Sequence, residues 1–583
     1  MASRRGLIVA IVPALASSTL AAWYLVAGNQ FVANAYARGT RAVLRNLLAG
    51  EGPFTLSDYL AASDALVWGA VVLGWLLAAL LFAGRYADPV MARVYRATLA
   101  AADWALGHSR TVGAVAAVVV AGGLAWVAVG VLQRFPNSGD EYCYLYQAET
   151  FARGRVTNTP HPLQEFFDFY HVRQVENRLF SVFPPGWPAL MSAALALRLP
   201  TWLVNPLLGA VLLWLTWLVG RRVADERVAV VSACIVALSP FFVFNSASFF
   251  AHTFCGVLVL AYAYAGVRAL DDRRADWAAT AGAVLGAAFL TRNYTAVWCA
   301  VPFGFALLRR GRSGWRLLAA CAAAGLPFVL LSLGYNHATM GSLFAPAMGG
   351  GFEGYAGAWF PPRWVARGLE ILSGHLADFI AWTPPALLVL FLWTWRQIPP
   401  GRTRRFTDYI FPALVLAYFL YVDRGGNRYG PRYYFEAFPF VVLAVTARVM
   451  RQDRYEDKSA GERWAFYLLA VSVAACLPML AWHARTEARV VAERREPYRL
   501  VAEHRIDRAI VFVAGPAGWT RPMNERDLTR NDPDFADAVL YVHDRGPEND
   551  GLMAAYPERS YWRYRFDRRT RQGSLEPLRP MVR

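Results

Sequence analysis

A chain of 583 residues that is 56% hydrophobic, 14% aromatic and 17% charged is too apolar to be water-soluble, and it contains many apolar runs near the roughly 20 residues that cross a bilayer. Its net charge of +17 rests almost wholly on arginine, with Lys458 the sole lysine. Those arginines stand between apolar runs, so they orient membrane helices and do not mark a nucleic-acid partner.

The N-terminal MASRR and the apolar run that follows read as an uncleaved first span, because the run is long for the core of a signal peptide. Spans are predicted near 7–27, 63–83, 111–132, 203–220, 228–247, 254–268, 277–291, 294–308, 316–335, 377–395, 409–422, 433–449 and 464–484. With the N-terminus inside, alternate loops are arginine-rich, as the positive-inside rule requires. Examples are Arg85 to Arg110, Arg221 to Arg227, Arg309 to Arg316 and Arg448 to Arg463. The expected architecture is an all-α polytopic membrane protein of about thirteen helices. Residues 1–110 add two extra helices, 111–485 form the core, and 486–583 form a small α/β domain outside the membrane. An Arg- and Ala-rich, Lys-poor usage suggests a GC-rich, bacterial genome, and the expected location of the multi-pass chain is the bacterial inner membrane.

Ser138 to Gly154, SGDEYCYLYQAETFARG, reads as a short helix at the outer membrane surface. Ser138 is the N-cap, Glu141 completes a capping box, and Gly154 stops the helix. Asp140, Tyr144 and Gln147 share a face, whereas adjacent Asp140 and Glu141 diverge. One carboxylate can then face a substrate while the other serves the helix. Pro185 to Leu199 is too short to span and reads as a second interfacial helix. The pair 277–291 and 294–308 is broken at Thr291, Arg292 and Asn293; a charge in an apolar hairpin either caps a turn or marks a site. In the tail, 509–515 and 538–544 read as two strands. All cysteines but Cys143 fall in or beside apolar runs, with no CxxC pair and no disulfide framework.

Polar groups concentrate in three outer segments. They are 133–185; 336–376, with Asn336, His337, Glu353, Arg363, Arg367, Glu370 and His375; and DRGGNRYGPRYY at 423–434. Irregular backbone near a bilayer lines water or protein, so these loops imply an outward cavity. Asp140 is the candidate general base, against the alternative that Asp140 and Glu141 are only favourable first-turn acids. Arg432, Arg428, Arg292 and Arg173 are candidates to hold a phosphate. His161, His171, His252 and His337, with Asp140 or Glu141, are candidate ligands for a divalent metal, although their spacing matches no established motif. No Walker A, GxSxG or HExxH sequence is present.

The order GDEYCYLYQAETFARGRV, NRLFSVFPPGWPALMSA, SPFFVFNSASFFAHTF, LTRNYT, YNHATMGSLF, GNRYGPRYY resembles the membrane glycosyltransferases of the C superfamily. The likeness is to the family 39-like group, which includes protein O-mannosyltransferases and lipid A aminoarabinose transferases. It covers roughly residues 111 to 450. It implies that a sugar passes with inversion from a polyprenyl-phosphate donor to a hydroxyl of a lipid, glycan or protein acceptor on the extracytoplasmic face. The role of the first-loop acid carries onto Asp140, and Glu141 matches the second acid of the mannosyltransferase pattern. Arg292 and Arg432 follow by position. Tyr144, Trp187, His252 and His337 are placed around the sugar or acceptor. The sequence departs from the pattern in its two extra N-terminal spans, in His252 where many relatives have an acid, and in its tail. The rival functions are a transporter or flippase for lipid-linked precursors and a non-catalytic scaffold.

Overall fold

The computed structural model describes residues 74, 88–346, 362–396, 405–421, 428–514, 528–567 and 572–579. The predicted span near 7–27, nearly all of that near 63–83, Glu353 and residues 423–427 lie outside them.

The described chain is mostly helical. Helices α1 (Asp88–Gly107) and α2 (Ser109–Trp126) lead through a π-helical turn, Val127–Val131, into α3 (Gly139–Ala152). A short α4 (Gln164–Phe167), the hairpin β1 (Val172–Val175) and β2 (Arg178–Ser181), and α5 (Gly186–Ala196) fill the first outer segment. The bundle continues with α6 (Thr201–Val223), α7 (Glu226–Leu238), α8 (Pro240–Ala247), α9 (His252–Asp272), α10 (Ala275–Thr291), α11 (Asn293–Leu308) and α12 (Arg312–Met340). Its second part holds α13 (Pro362–Trp382), α14 (Leu387–Arg396), α15 (Ile410–Phe419), α16 (Phe438–Val449) and α17 (Ala460–Glu503).

Among the described residues five helices are long and apolar enough to cross a membrane, or seven if each bent pair is one span. This does not reach the expected thirteen. The predicted span 228–247 is two helices, α7 and α8, bent by 66°. Pro240 opens α8 at its N-terminal turn, where its missing N–H is tolerated but continuation of α7 is not. The predicted span 377–395 is likewise bent, by 110°, between the end of α13 and α14. The runs at 275–291, 293–308 and 406–419 are helices shorter than the test for a span. Of the five long helices, α9 is the most buried and forms the centre of the bundle, whereas α12 is the least buried.

The loops expected on one side of the membrane meet at one end of the bundle. Arg227 bridges Asp103 at 2.6 Å and Asp453 at 2.9 Å, Arg405 bridges Asp271 at 3.1 Å, and Arg463 reaches Asp88 at 3.3 Å. These are exposed pairs worth little individually; their value is that they locate the loops.

Helix α17 starts at a full capping box, Ser459 with Glu462, and runs unbroken through the expected domain boundary at 486. It joins the bundle directly to the tail. There β3 (Ala509–Ala514), β4 (Val539–His543), β5 (Ser560–Asp567) and β6 (Gln572–Pro577) form one sheet in the order β4-β3-β5-β6, with α18 (Asn549–Ala555) between β4 and β5. Strands β4, β3 and β5 are parallel; β6 is antiparallel. The expected two strands are therefore half of a mixed sheet. The exposed, polar pattern of β6 carries no strand alternation strong enough to read. Phe166 and Phe167 of α4 are buried with Ile510, Phe512, Leu540 and Val542 of the sheet. The first outer segment thus supplies part of the tail's own core.

Candidate active site

Helix α3 is placed by its first turn. Ser138 Oγ accepts from Glu141 N at 3.2 Å, as the capping pattern predicts. The reciprocal half of the expected capping box is absent. The Glu141 carboxylate instead accepts from Asn137 N at 2.6 Å and, across the bundle, from Phe249 N at 2.9 Å. Glu141 is 1% exposed, and burial pushes it up to about 7 although those N–H groups favour its ionised form. It fastens the turn between α8 and α9. Trp187 fastens the same turn, donating from Nε1 to Phe249 O at 2.8 Å. Buried to 1% exposure, Trp187 is a prop and not the cavity wall expected of it.

Asp140 diverges from Glu141 as expected. Its Oδ2 meets Arg432 at 2.8 Å and its Oδ1 meets His171 Nε2 at 3.4 Å. Burial opposes its ionisation, but Arg432 and then His171 hold it well below the usual carboxylate range. Arg432 also lies over the Phe250 ring at 4.0 Å. The backbone before it is set by Gly430 at φ +82°, and a Cβ there would lie 2.8 Å from Trp382 Cγ. Only glycine satisfies both conditions, which gives the GPR sequence a physical reason.

A second arginine cluster forms where α10 meets α11. Arg292 Nε lies 3.1 Å from Glu436 Oε1, its Nη1 is 3.2 Å from His252 Nε2, and its Nη2 donates to Tyr418 at 3.2 Å. His252 Nδ1 in turn meets Glu436 at 3.2 Å. Of the two roles open to Arg292 in the sequence, the bland turn cap is incomplete: its side chain faces inward. Gly186 of the FPPGWP segment packs directly beneath. A Cβ on it would lie 2.7 Å from Thr291 Oγ1 and 2.8 Å from Leu290 O. Tyr144, 3% exposed and packed on Phe183 at 4.6 Å, is within electrostatic reach of Asp140, Arg292 and Arg432.

The remaining candidates fall elsewhere. Arg428 pairs with Glu487 of α17 at 3.4 Å, and Asn137 Nδ2 joins the same carboxylate at 3.2 Å; this brackets the outer loop to the tail helix. Arg173 stands exposed on β1, two residues past His171. His337 is exposed at the end of α12, where its carbonyl accepts from Gly341 N. His161 bonds the Tyr556 hydroxyl at 2.7 Å, within the tail interface. The four histidines therefore do not converge. No group of three or more His, Cys, Asp or Glu is arranged for a metal among the described residues. Both Asp140 oxygens face a guanidinium and an imidazole, a poor donor set for a cation.

The sequence reading missed Glu436 and Tyr418, and valued His171 only as a ligand. Glu436 had a signal: an acid opening an apolar run. Tyr418, within such a run, had none.

The site thus holds two buried guanidinium groups, each paired with a carboxylate, Arg432 with Asp140 and Arg292 with Glu436. Residues 184–334 match the family described as dolichyl-phosphate-mannose-protein mannosyltransferase. The chain is thus similar, over that segment, to the superfamily C glycosyltransferases that its sequence resembles. The match takes in Gly186, His252 and Arg292; Asp140 precedes it and Arg432 follows it. Residues 509–583 match a domain of unknown function. No protein of curated function matches. Among solved structures, ArnT from Cupriavidus metallidurans bound to undecaprenyl phosphate is 12% identical; the likeness covers 77% of this chain and 93% of that one, with a TM-score of 0.49. The oligosaccharyltransferase AglB from Archaeoglobus fulgidus, in complex with an inhibitory peptide and a dolichol-phosphate, is 15% identical over 65% of this chain and 56% of its own, with a TM-score of 0.41.

Proposed function

We propose that this protein is a multi-pass membrane glycosyltransferase. It takes a sugar from a polyprenyl-phosphate donor and passes it with inversion to a hydroxyl acceptor on the extracytoplasmic face. The observation that carries this reading is the pairing of the Asp140 carboxylate with Arg432, adjoining the second buried arginine, Arg292, at the end of the bundle opposite the arginine-rich loops.

In this mechanism the acceptor O–H gives its proton to Asp140 while its oxygen bonds to the anomeric carbon. The bond from that carbon to the phosphate oxygen breaks, and the charge that grows on the leaving phosphate falls on Arg292 and Arg432. Arg432 is shared. While it sits on Asp140 it keeps the carboxylate a weak base. A donor phosphate competes for the same guanidinium, and Asp140 gains proton affinity as Arg432 turns away. The donor thereby switches on its own base. His171 keeps Asp140 Oδ1 oriented meanwhile. Glu141, matched to the second acid of the mannosyltransferase pattern, acts through position: it holds the turn that leads into His252.

The test is sugar release from a panel of polyprenyl-phosphate donors by wild type and Asp140→Asn in lipid, with membrane extract as acceptor. Asp140→Asn is expected to lose about 10²–10⁴-fold in transfer while remaining folded. Equal activity removes Asp140 from the reaction centre. No transfer by wild type from any donor turns the assignment towards a transporter or scaffold.

A further inference from the structure

A cleft of about 710 Å³ opens between the tail sheet and the first outer segment. One wall carries Val513 at the end of β3 with His543 and Asp544 at the end of β4; the other carries His161, Glu165, Asp168 and Gln174. These strand ends are carboxyl ends of parallel strands. In open α/β sheets, ligands bind in the crevice outside the carboxyl ends of the strands.

The cleft walls are joined by hydrogen bonds. Asp168 O accepts from His543 Nε2 at 2.7 Å and from Thr529 Oγ1 at 2.9 Å. Three residues further on, His171 touches Asp140. The same short segment therefore lines the cleft and ends on the candidate base. The chemistry of the walls is that of amide, carboxylate and imidazole groups, able both to donate to and accept from hydroxyls. Arg545, the cation at the rim, is paired with Glu548 at 2.6 Å, and Asp544 is paired with Arg563 at 2.7 Å. Among the described residues that line the cleft, the acids Glu165, Asp168 and Asp544 outnumber the one arginine, which disfavours an anionic ligand.

We propose that this cleft binds the acceptor as an uncharged, polyhydroxylated sugar chain, with the tail domain as its reader; the inference rests on the glycosyltransferase reading above. The experiment applies full-length protein in nanodiscs to an array of neutral and anionic oligosaccharides, comparing wild type with Glu165→Ala plus Gln174→Ala and with Gln174→Trp. Both positions are exposed, so the variants are expected to fold. Retention of wild type on at least one neutral oligosaccharide, weakened about tenfold by losing two hydrogen-bonding side chains, supports the proposal. No retention of wild type, equal retention of all three proteins, or loss confined to anionic oligosaccharides overturns it. Donor turnover by wild type is measured in parallel. Cleft-dependent retention without turnover of any donor leaves the binding site standing and removes the enzyme reading. Turnover without cleft-dependent retention does the reverse.

Discussion

Glu141→Gln separates a catalytic acid from a structural one. The buried carboxyl rises from an ordinary 4.5 to about 7, burial outweighing its two N–H donors. A raised acid pKa means that the folded protein keeps a proton which the unfolded chain has already released. Stability therefore falls as pH rises between roughly 4.5 and 7, then levels off. The interval of about 2.5 units corresponds to about 3 kcal/mol at 1.36 kcal/mol per unit. Glutamine carries no charge but has one acceptor: its oxygen still accepts from one N–H, while its NH2 faces the other donor, at a cost of about 1–3 kcal/mol. The variant is then expected to be less stable than wild type by about 1–3 kcal/mol near pH 5, and to gain about 3 kcal/mol relative to wild type by pH 8, where it equals or exceeds it. Denaturant midpoints of both proteins at pH 5, 6.5 and 8, taken as differences, isolate this group from the other titrating residues. Sugar transfer is expected to fall less than about tenfold, well short of the 10²–10⁴-fold given by loss of an acid–base group. A variant that is less stable at pH 8 by 2 kcal/mol or more would refute the reasoning. The two N–H bonds to Asn137 and Phe249 would then outweigh burial, and Glu141 would be a stabilising anion.

Arg292→Ala leaves Glu436, 0% exposed, without its guanidinium partner, and should cost about 3–5 kcal/mol in the same unfolding assay. Arg292→Lys keeps a charge but not the fork, so the protein should fold while transfer drops about 10–100-fold; unchanged kinetics would separate Arg292 from the leaving phosphate. Gly186→Ala must push Leu290 and Thr291 apart from α5, costing about 1–3 kcal/mol and lowering transfer through Arg292; an unaltered midpoint would show that the contact yields freely. Phe166→Ala empties part of the tail core at about 3–5 kcal/mol. Limited proteolysis should then cut the tail faster while the bundle persists, and an unchanged digestion rate would show that the tail holds without it.

Much of the helical frame was legible because it is written in local terms. Apolar runs located α2, α6, α9, α12 and the start of α17, and the arginine-rich loops were grouped correctly by charge alone. Ser138 announced the start of α3, and adjacency forced Asp140 and Glu141 apart. What was misread came from contacts that no window contains. The bends at Pro240 and after α13 looked like continuous spans because hydropathy does not register direction. The length of α17 was hidden because its outer half is polar, yet it packs on the outer loop and the tail. Glu141 looked like half of a capping box until the Phe249 N–H claimed its second oxygen.

The candidate site divides in the same way. Its parts were visible one by one: an acid pair after a span, an arginine interrupting an apolar hairpin, a glycine–proline hinge before Arg432. Their grouping was not. Asp140 and Arg432 come from opposite halves of the chain, and Glu436, His252 and Arg292 from three different elements, so their pairing depends on how the helices pack. Composition and hydropathy determined that the chain enters a membrane, and local spacing determined where its charges break the helices. Only the packed bundle decided which buried charge meets which, because the energy of an ion pair depends on distance and burial, and neither is a property of a stretch of sequence.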